Sequence, residues 1–266
     1  MKRLFSFVLF VWITLLPSVS FAGSSEAGKA KLPAAEVAAF ANRVQQDLAA
    51  RGAHVAIVSR VGRDPRQLPS GVNYTHVSFW VYSHIKHADG RTGRGYRVYN
   101  LYQKNDNQTR SHLVQDSPAD FFSGAHKLDA GVIIPDVRLQ KKLLKVIASP
   151  TYAALHNASY SVLANPNTNQ FQNCTEHTLD VLFASLYDTK NVNQIKANMA
   201  AHFQPQVIRI GGFKRLLAPA VSQALTTADH DEKIATATFG AIARFMETNK
   251  LAKVIYRIDP ARAISF

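Results

Sequence analysis

The sequence predicts an α+β fold built on an antiparallel sheet, and three observations carry that prediction. Two aromatic and β-branched runs, YTHVSFWVYS at 74–83 and GYRVYNLYQ at 95–103, flank HIKHADGRTGR and read as a long hairpin with turn chemistry at Asp89-Gly90. Helical and strand-like segments do not alternate as they would in a doubly wound fold. The last third, from Val192 onward, has a mainly helical pattern with short strand-like stretches at QVIRI and KVIYRI.

Taken from the start, MKRLFSFVLFVWITLLPSVSFAG has a basic opening at Lys2 and Arg3, an apolar run from Leu4 to Leu16 and a small-residue end at Ser20-Phe21-Ala22. That pattern predicts a signal peptide over residues 1–22, cleaved after Ala22, and an exported protein that is periplasmic or secreted. The run is shorter than the roughly 20 residues a spanning helix needs, and no later segment reaches that length, so the mature chain is predicted to be soluble. No cysteine stands at the cleavage site to take a lipid anchor. Residues 23–32 read as a flexible polar leader, and 33–266 as a single domain large enough for one substantial core.

Within that domain, PAAEVAAFANRVQQDLAARG places Val37, Phe40, Val44 and Leu48 on one helical face, and Gly52 ends the helix. A short strand is predicted at about 54–61, then a Pro- and Gly-rich loop before the hairpin. Further on come a strand at 131–135, a helix from Asp136 to Ala148 stopped by Pro150, and a strand at 159–164. NPNTNQFQ is a loop, and no internal repeat is found.

The formal charge of +13 falls to +11 when Lys2 and Arg3 leave with the signal. Such a balance suits anionic surfaces such as wall polymers or lipid headgroups. The basic residues are scattered, with no run longer than Lys141-Lys142 and no nucleic-acid motif, so nucleic acid is not a predicted partner.

Cys174 is the only cysteine, so it has no disulfide partner within the chain, although exported proteins normally pair their cysteines. It is either an inert buried residue or one kept for its reactivity. Asn173 is a strong N-cap residue and Glu176 follows three places on, so N-C-T-E reads as a capping box that opens a helix at Cys174. A thiol at that position lies in the positive field of the helix start, which favours the thiolate.

A thiol nucleophile needs a base, and His76 interrupts an apolar strand where alternation sets it on one face with Tyr74, Ser78, Trp80 and Tyr82. In the second strand Asn100 shares a face with Tyr96, Val98 and Tyr102. If His76 faces Asn100 the turn is centred near Ala88, and the Asn100 carbonyl would fix the tautomer of the ring. His84 and His87 are weaker alternatives near the loop. His177, on the same helix as the thiol, is read as packing against or supporting the site; with Cys174 it makes a weak metal pair, and no metal or cofactor is predicted. The Cys174 backbone N–H, with Asn173 and the Asn73-Tyr74 stretch in support, would supply an oxyanion hole.

The combination of YTHVSFWV, a second strand with a polar residue, and NCTEHTLDVLF resembles the circularly permuted branch of the papain-like NlpC superfamily, which includes the lecithin retinol acyltransferase relatives. More closely, the stretch from about Ser70 to Leu186, headed by SGVNYTHVSFWV, is similar to a bacterial family called domain of unknown function 2145. The resemblance implies a papain-like core in which the helix bearing Cys174 packs against an antiparallel sheet bearing His76, with extra C-terminal helices. Acyltransferase relatives often carry histidine at the third position; Asn100 stands there instead, as in papain-like enzymes. The implied function is an exported thiol hydrolase acting on an amide or ester, in cell-wall peptide or an anionic lipid. The alternatives are a non-catalytic binding or assembly protein of the cell envelope, and a redox-sensing thiol.

Overall fold

The computed structural model describes residues 30–86, 90–209 and 223–265. The predicted signal sequence, most of the predicted leader, residues 87–89 of the predicted turn and Ile210 of QVIRI lie outside the described residues. The first helix, α1 (Ala34–Ala50), buries Val37, Phe40, Val44 and Leu48, and Gly52 takes a φ of +67° just past its end.

Strands β1 (Val55–Val61), β2 (His76–Lys86), β3 (Thr92–Gln103) and β4 (Ser111–Asp116) are followed by α2 (Pro118–Ser123) and β5 (Lys127–Pro135). Helices α3 (Val137–Ile147), α4 (Pro150–Ala154), α5 (Cys174–Tyr187) and α6 (Val192–His202) come next. A small ladder of β6 (Gln206–Val207) and β7 (Ala235–Thr236), the helix α7 (Phe239–Thr248), and strands β8 (Ala252–Ile258) and β9 (Ala263–Ser265) complete the order.

The main sheet has seven strands in the order β4-β3-β2-β1-β5-β8-β9, and every pairing is antiparallel. Helices cover both faces. Val77, Phe79 and Val81 of β2 meet a core built from α3, α5, α6 and α7, whereas Trp80 meets the core beneath α1 and α2. Burial on both sides explains why the central strand β1 reads VAIVSRV, apolar almost throughout, rather than as an alternating strand. The α+β class and the antiparallel sheet therefore hold, and β1 to β3 fall close to their predicted positions.

Several elements depart from expectation. In the C-terminal third the predicted strand KVIYRI forms most of β8 and QV of QVIRI forms β6, but β8 pairs with β5 inside the main sheet and β9 extends it, so this third adds strands to the sheet as well as helices. Residues 159–164 form no strand, only isolated bridges at Ser159 and Tyr160; the Ser161 hydroxyl donates to Thr226 O at 2.8 Å, and a turn closes from Ala164 N to Ser161 O. Pro150 opens α4 behind the N-cap Ser149 as well as ending the previous helix. Strand β4 and helix α2 have no counterpart in the sequence reading.

The hairpin register also shifts by two positions. Phe79 pairs with Tyr99 and Lys86 with Thr92, so the numbers of paired residues sum to 178 rather than 176, and Gly90, past the undescribed residues 87–89, takes a φ of +84°. Continued inward, that register sets His76 level with Tyr102, and Asn100 becomes a diagonal neighbour of His76.

Candidate active site

His76 is the first residue of β2 and is fully buried. Its Nε2 lies 3.0 Å from Asn100 Oδ1. Asn100 turns its amide to Asp116, with Nδ2 donating to Oδ2 at 2.8 Å, and Tyr102 donates its hydroxyl to the same oxygen at 2.8 Å. Because the Asn100 oxygen can only accept, Nε2 carries the ring proton and Nδ1 is the basic nitrogen. Nδ1 makes no hydrogen bond among the described residues. The ring stacks on Tyr102 at 4.8 Å and lies 5.4 Å from Phe121. Burial, together with the Arg60 charge, holds the imidazole well below its ordinary pKa, against the opposing pull of the Asn100 bond.

Cys174 is the first residue of α5 and is 5% exposed. Asn173 caps the helix by accepting the Glu176 N–H at 2.9 Å, while its own amide donates to Val162 O at 3.1 Å and so does not face an incoming oxyanion. Only half of the expected capping box forms. Glu176 does not reach back to the cap; it turns inward, where Lys196 donates to Oε1 at 2.6 Å. Lys196 also pairs with Asp180 at 2.8 Å, and this buried triad fastens α5 to α6. The N–H groups of the first helical turn point to the N-terminal end and favour negative charge beside the sulfur.

The sheet sets the thiol and the imidazole in different surroundings. His76, Asn100 and Tyr102 face α2, whereas Cys174 packs with Tyr160, Ala224 and Leu101, the β3 residue between Asn100 and Tyr102 whose side chain points the other way. Both groups sit at one end of the sheet, where β1 and β3 finish and β2 begins. Among the described residues, no hydrogen bond runs from His76 Nδ1 to the sulfur.

The other predicted residues have separate tasks. His177 is buried, donates from Nε2 to Tyr152 O at 3.2 Å and packs edge-on against the Tyr152 ring; burial pushes it down to about 3. Tyr74 donates to Asp129 at 3.2 Å, packs on Phe239, and with Asn73 lines a cavity of about 460 Å³ between this segment, α7 and β8. His84 is exposed, eight residues along β2 from His76. Among the described residues no group of three or more His, Cys, Asp or Glu side chains gathers to hold a metal ion, and no helix is long and apolar enough to cross a membrane.

Sequence reasoning missed Arg60. It pairs with His76 across β1 and β2, is 3% exposed, and donates from Nη1 to Phe121 O. A lone arginine inside the apolar run VAIVSRV was the available signal.

A family model for the bacterial family DUF2145, described as an uncharacterised protein conserved in bacteria, matches residues 47–246, and the chain belongs to this family. No curated protein and no solved structure matches the chain, so no solved fold supports the papain-like likeness.

Proposed function

We propose that this protein is an exported thiol hydrolase of the cell envelope with a papain-like arrangement, acting on an amide or ester bond in wall peptide or in an anionic lipid. The observation that carries the proposal is the tautomer lock on His76: Asn100 holds Nε2–H and leaves Nδ1 bare, at the end of the sheet where Cys174 opens α5. The chain order of histidine before cysteine and the packing of α5 on an antiparallel sheet support the same reading. His76 Nδ1 takes the proton of Cys174 as the sulfur attacks the acyl carbonyl, and gives that proton to the leaving group as the thioester forms. Water then attacks the thioester, His76 Nδ1 takes its proton and returns it to the departing sulfur, and the acid product is released. The N–H groups at the start of α5 stabilise the oxyanion. The reaction requires the sulfur and Nδ1 to meet around the start of β2.

An alkylating substrate mimic such as a peptidyl chloromethyl ketone, with the adduct located by mass spectrometry, tests this. Labelling is expected on Cys174 and is expected to slow about a hundredfold in His76→Ala, the scale of general-base assistance. Equal rates in the two proteins would remove His76 as the base. One observation favours a second reading, a non-catalytic envelope binding protein: the 460 Å³ cavity lies beside Tyr74 and Phe239, and Cys174 is not among its lining residues. On that reading Cys174→Ser keeps the biological function.

A further inference from the structure

The cavity of about 460 Å³ beside Tyr74 plays no part in the thiol chemistry, and its size falls within the roughly 300–1,000 Å³ of small-molecule sites. One wall is a single face of α7, with Gly240, Ala243, Arg244 and Glu247 at helical spacing, and another is the first half of β8, from Ala252 to Ile255. Tyr74 and Phe239 meet edge to face at 5.1 Å and, with Ala243, Val254 and Ile255, give it an apolar lining. The hydroxyls beside that lining are engaged: Tyr74 donates to Asp129 at 3.2 Å, and Thr238 Oγ1 accepts the Ala241 N–H at 3.1 Å. A sugar would leave most of its hydroxyls unmatched against such walls, whereas a hydrocarbon chain has none to match.

The charged residues of the cavity are Arg244, Lys250 and Lys253 against the single acid Glu247, and all four are exposed. Arg244 donates to Gln206 Oε1 at 3.4 Å and Lys253 to Arg51 O at 2.9 Å, uncharged acceptors that leave both positive charges uncompensated. Lys250 follows the end of α7 with a φ of +54°, in the left-handed region where glycine is the residue without a steric cost. A lysine held there supplies a charge that glycine would not.

We propose that this cavity binds the free monomer of a single-chain anionic amphiphile, a fatty carboxylate or an equivalent alkyl anion. Its alkyl chain lies against Tyr74, Phe239 and Ile255, and its anionic head is drawn to Arg244 and Lys250. The site goes beyond the thiol hydrolase reading, because Cys174 does not line it and binding there needs no covalent step.

The probe is cis-parinarate, a fatty carboxylate that fluoresces once out of water, titrated into the intact protein. Saturable binding of one molecule per chain is expected, with a Kd on the order of micromolar. Dodecanoate is expected to displace it about tenfold better than 1-dodecanol, the uncharged chain of the same length, and Arg244→Gln to remove most of that advantage. At Gly240 an added Cβ meets Arg244 Nη1 at 3.6 Å and Thr238 Oγ1 at 4.0 Å, ordinary contacts, so Gly240→Leu fills the space with a better helix former. That variant is expected to weaken binding at least about tenfold. Lys250→Gly is expected to weaken it about tenfold while keeping or raising the urea midpoint, which separates lost binding from lost folding. Absence of saturable binding, binding that survives Gly240→Leu, or equal displacement by the acid and the alcohol each overturn the proposal. Cys174→Ser is expected to bind as the wild type does. Binding lost in that variant would place the probe at the thiol and overturn the separate site while leaving the hydrolase reading standing. Sedimentation with phosphatidylglycerol vesicles that Gly240→Leu abolishes, without binding of the monomer, would give the cavity to a bilayer lipid and overturn the assignment to a free chain.

Discussion

At the scale of single residues, the three histidines around the site differ by what holds them. His76 is held by a side-chain oxygen and keeps one nitrogen unused, whereas His177 is held by Tyr152 O and fills space against the Tyr152 ring. His84 is exposed. The buried neutral state of His177 has a consequence for acid stability. As pH falls through about 6.5 the unfolded ring takes up a proton, while the folded ring resists until about 3, so the unfolded state binds more protons in that window and stability falls as pH falls. The loss attributable to this ring is on the order of 4 kcal/mol by the lower limit. His177→Gln keeps a donor for Tyr152 O and cannot titrate. Urea midpoints measured across this range are expected to fall less steeply in the variant, and an unchanged slope would assign the acid sensitivity elsewhere. His76 and Asn100 were legible in the sequence because alternation along two strands fixes which side chains share a face. Arg60 was not, because its burial depends on Phe121 and Gly124, which belong to and follow a helix too short to show a periodic pattern.

At the scale of elements, the start of α5 was the most legible feature and also the one most modified by its surroundings. Asn173 caps as its residue type demands, but Glu176 gives up the reciprocal bond for a buried cation that arrives 20 residues later in the chain. Local propensity specifies the helix start, and tertiary partners decide where its side chains go. Asn173 also ties the helix to the segment before it through Val162 O. Asn173→Ala removes both bonds and is expected to cost about 2 kcal/mol, while Asn173→Ser restores the cap alone and recovers roughly half. Equilibrium denaturation of the three proteins checks this, and a loss in Asn173→Ala below about 0.5 kcal/mol would show that the cap does not anchor the thiol. Two elements escaped the sequence reading for opposite reasons. Helix α2 has a full capping box, Ser117 with Asp120 and Pro118 at the first helical position, but only six residues. Segment 159–164 has strand-like composition, and its serine hydroxyl and backbone are drawn to Thr226 and Ala224 instead.

At the scale of the whole molecule, one sheet separates two cores, and the middle of α5, from Leu179 to Ala184, lies in one of them. Every residue from Cys174 to Ser185 is buried, polar ones included, so the helix that presents the thiol has no solvated face over that span. Its polar groups rely on partners inside the protein: Lys196 pairs with both Glu176 and Asp180, and Gln172 donates to Asp180 at 2.7 Å, while Glu176 Oε2 has no hydrogen-bond partner among the described residues. Burial raises the pKa of both carboxyls, with the Lys196 charge opposing the rise. Lys196→Met deletes that opposing charge while keeping the side-chain length, and is expected to destabilise the fold by about 3–5 kcal/mol near neutral pH. The pH dependence of the variant has a definite sign. Without Lys196 the folded state takes Glu176 and Asp180 as neutral acids, whereas the unfolded chain ionises them above 4.5 and 3.8. The folded variant therefore binds more protons above those values, and the contribution is present at acid pH and lost as pH rises. The gap between Lys196→Met and wild type is expected to narrow as pH is lowered towards 5. Adding Glu176→Gln and Asp180→Asn, which fix the neutral forms, is expected to narrow it at neutral pH as well. A gap that stays constant with pH would mean that Lys196 acts through packing of its stem rather than through its charge, and that the thiol-bearing helix is not held in place by this ion triad.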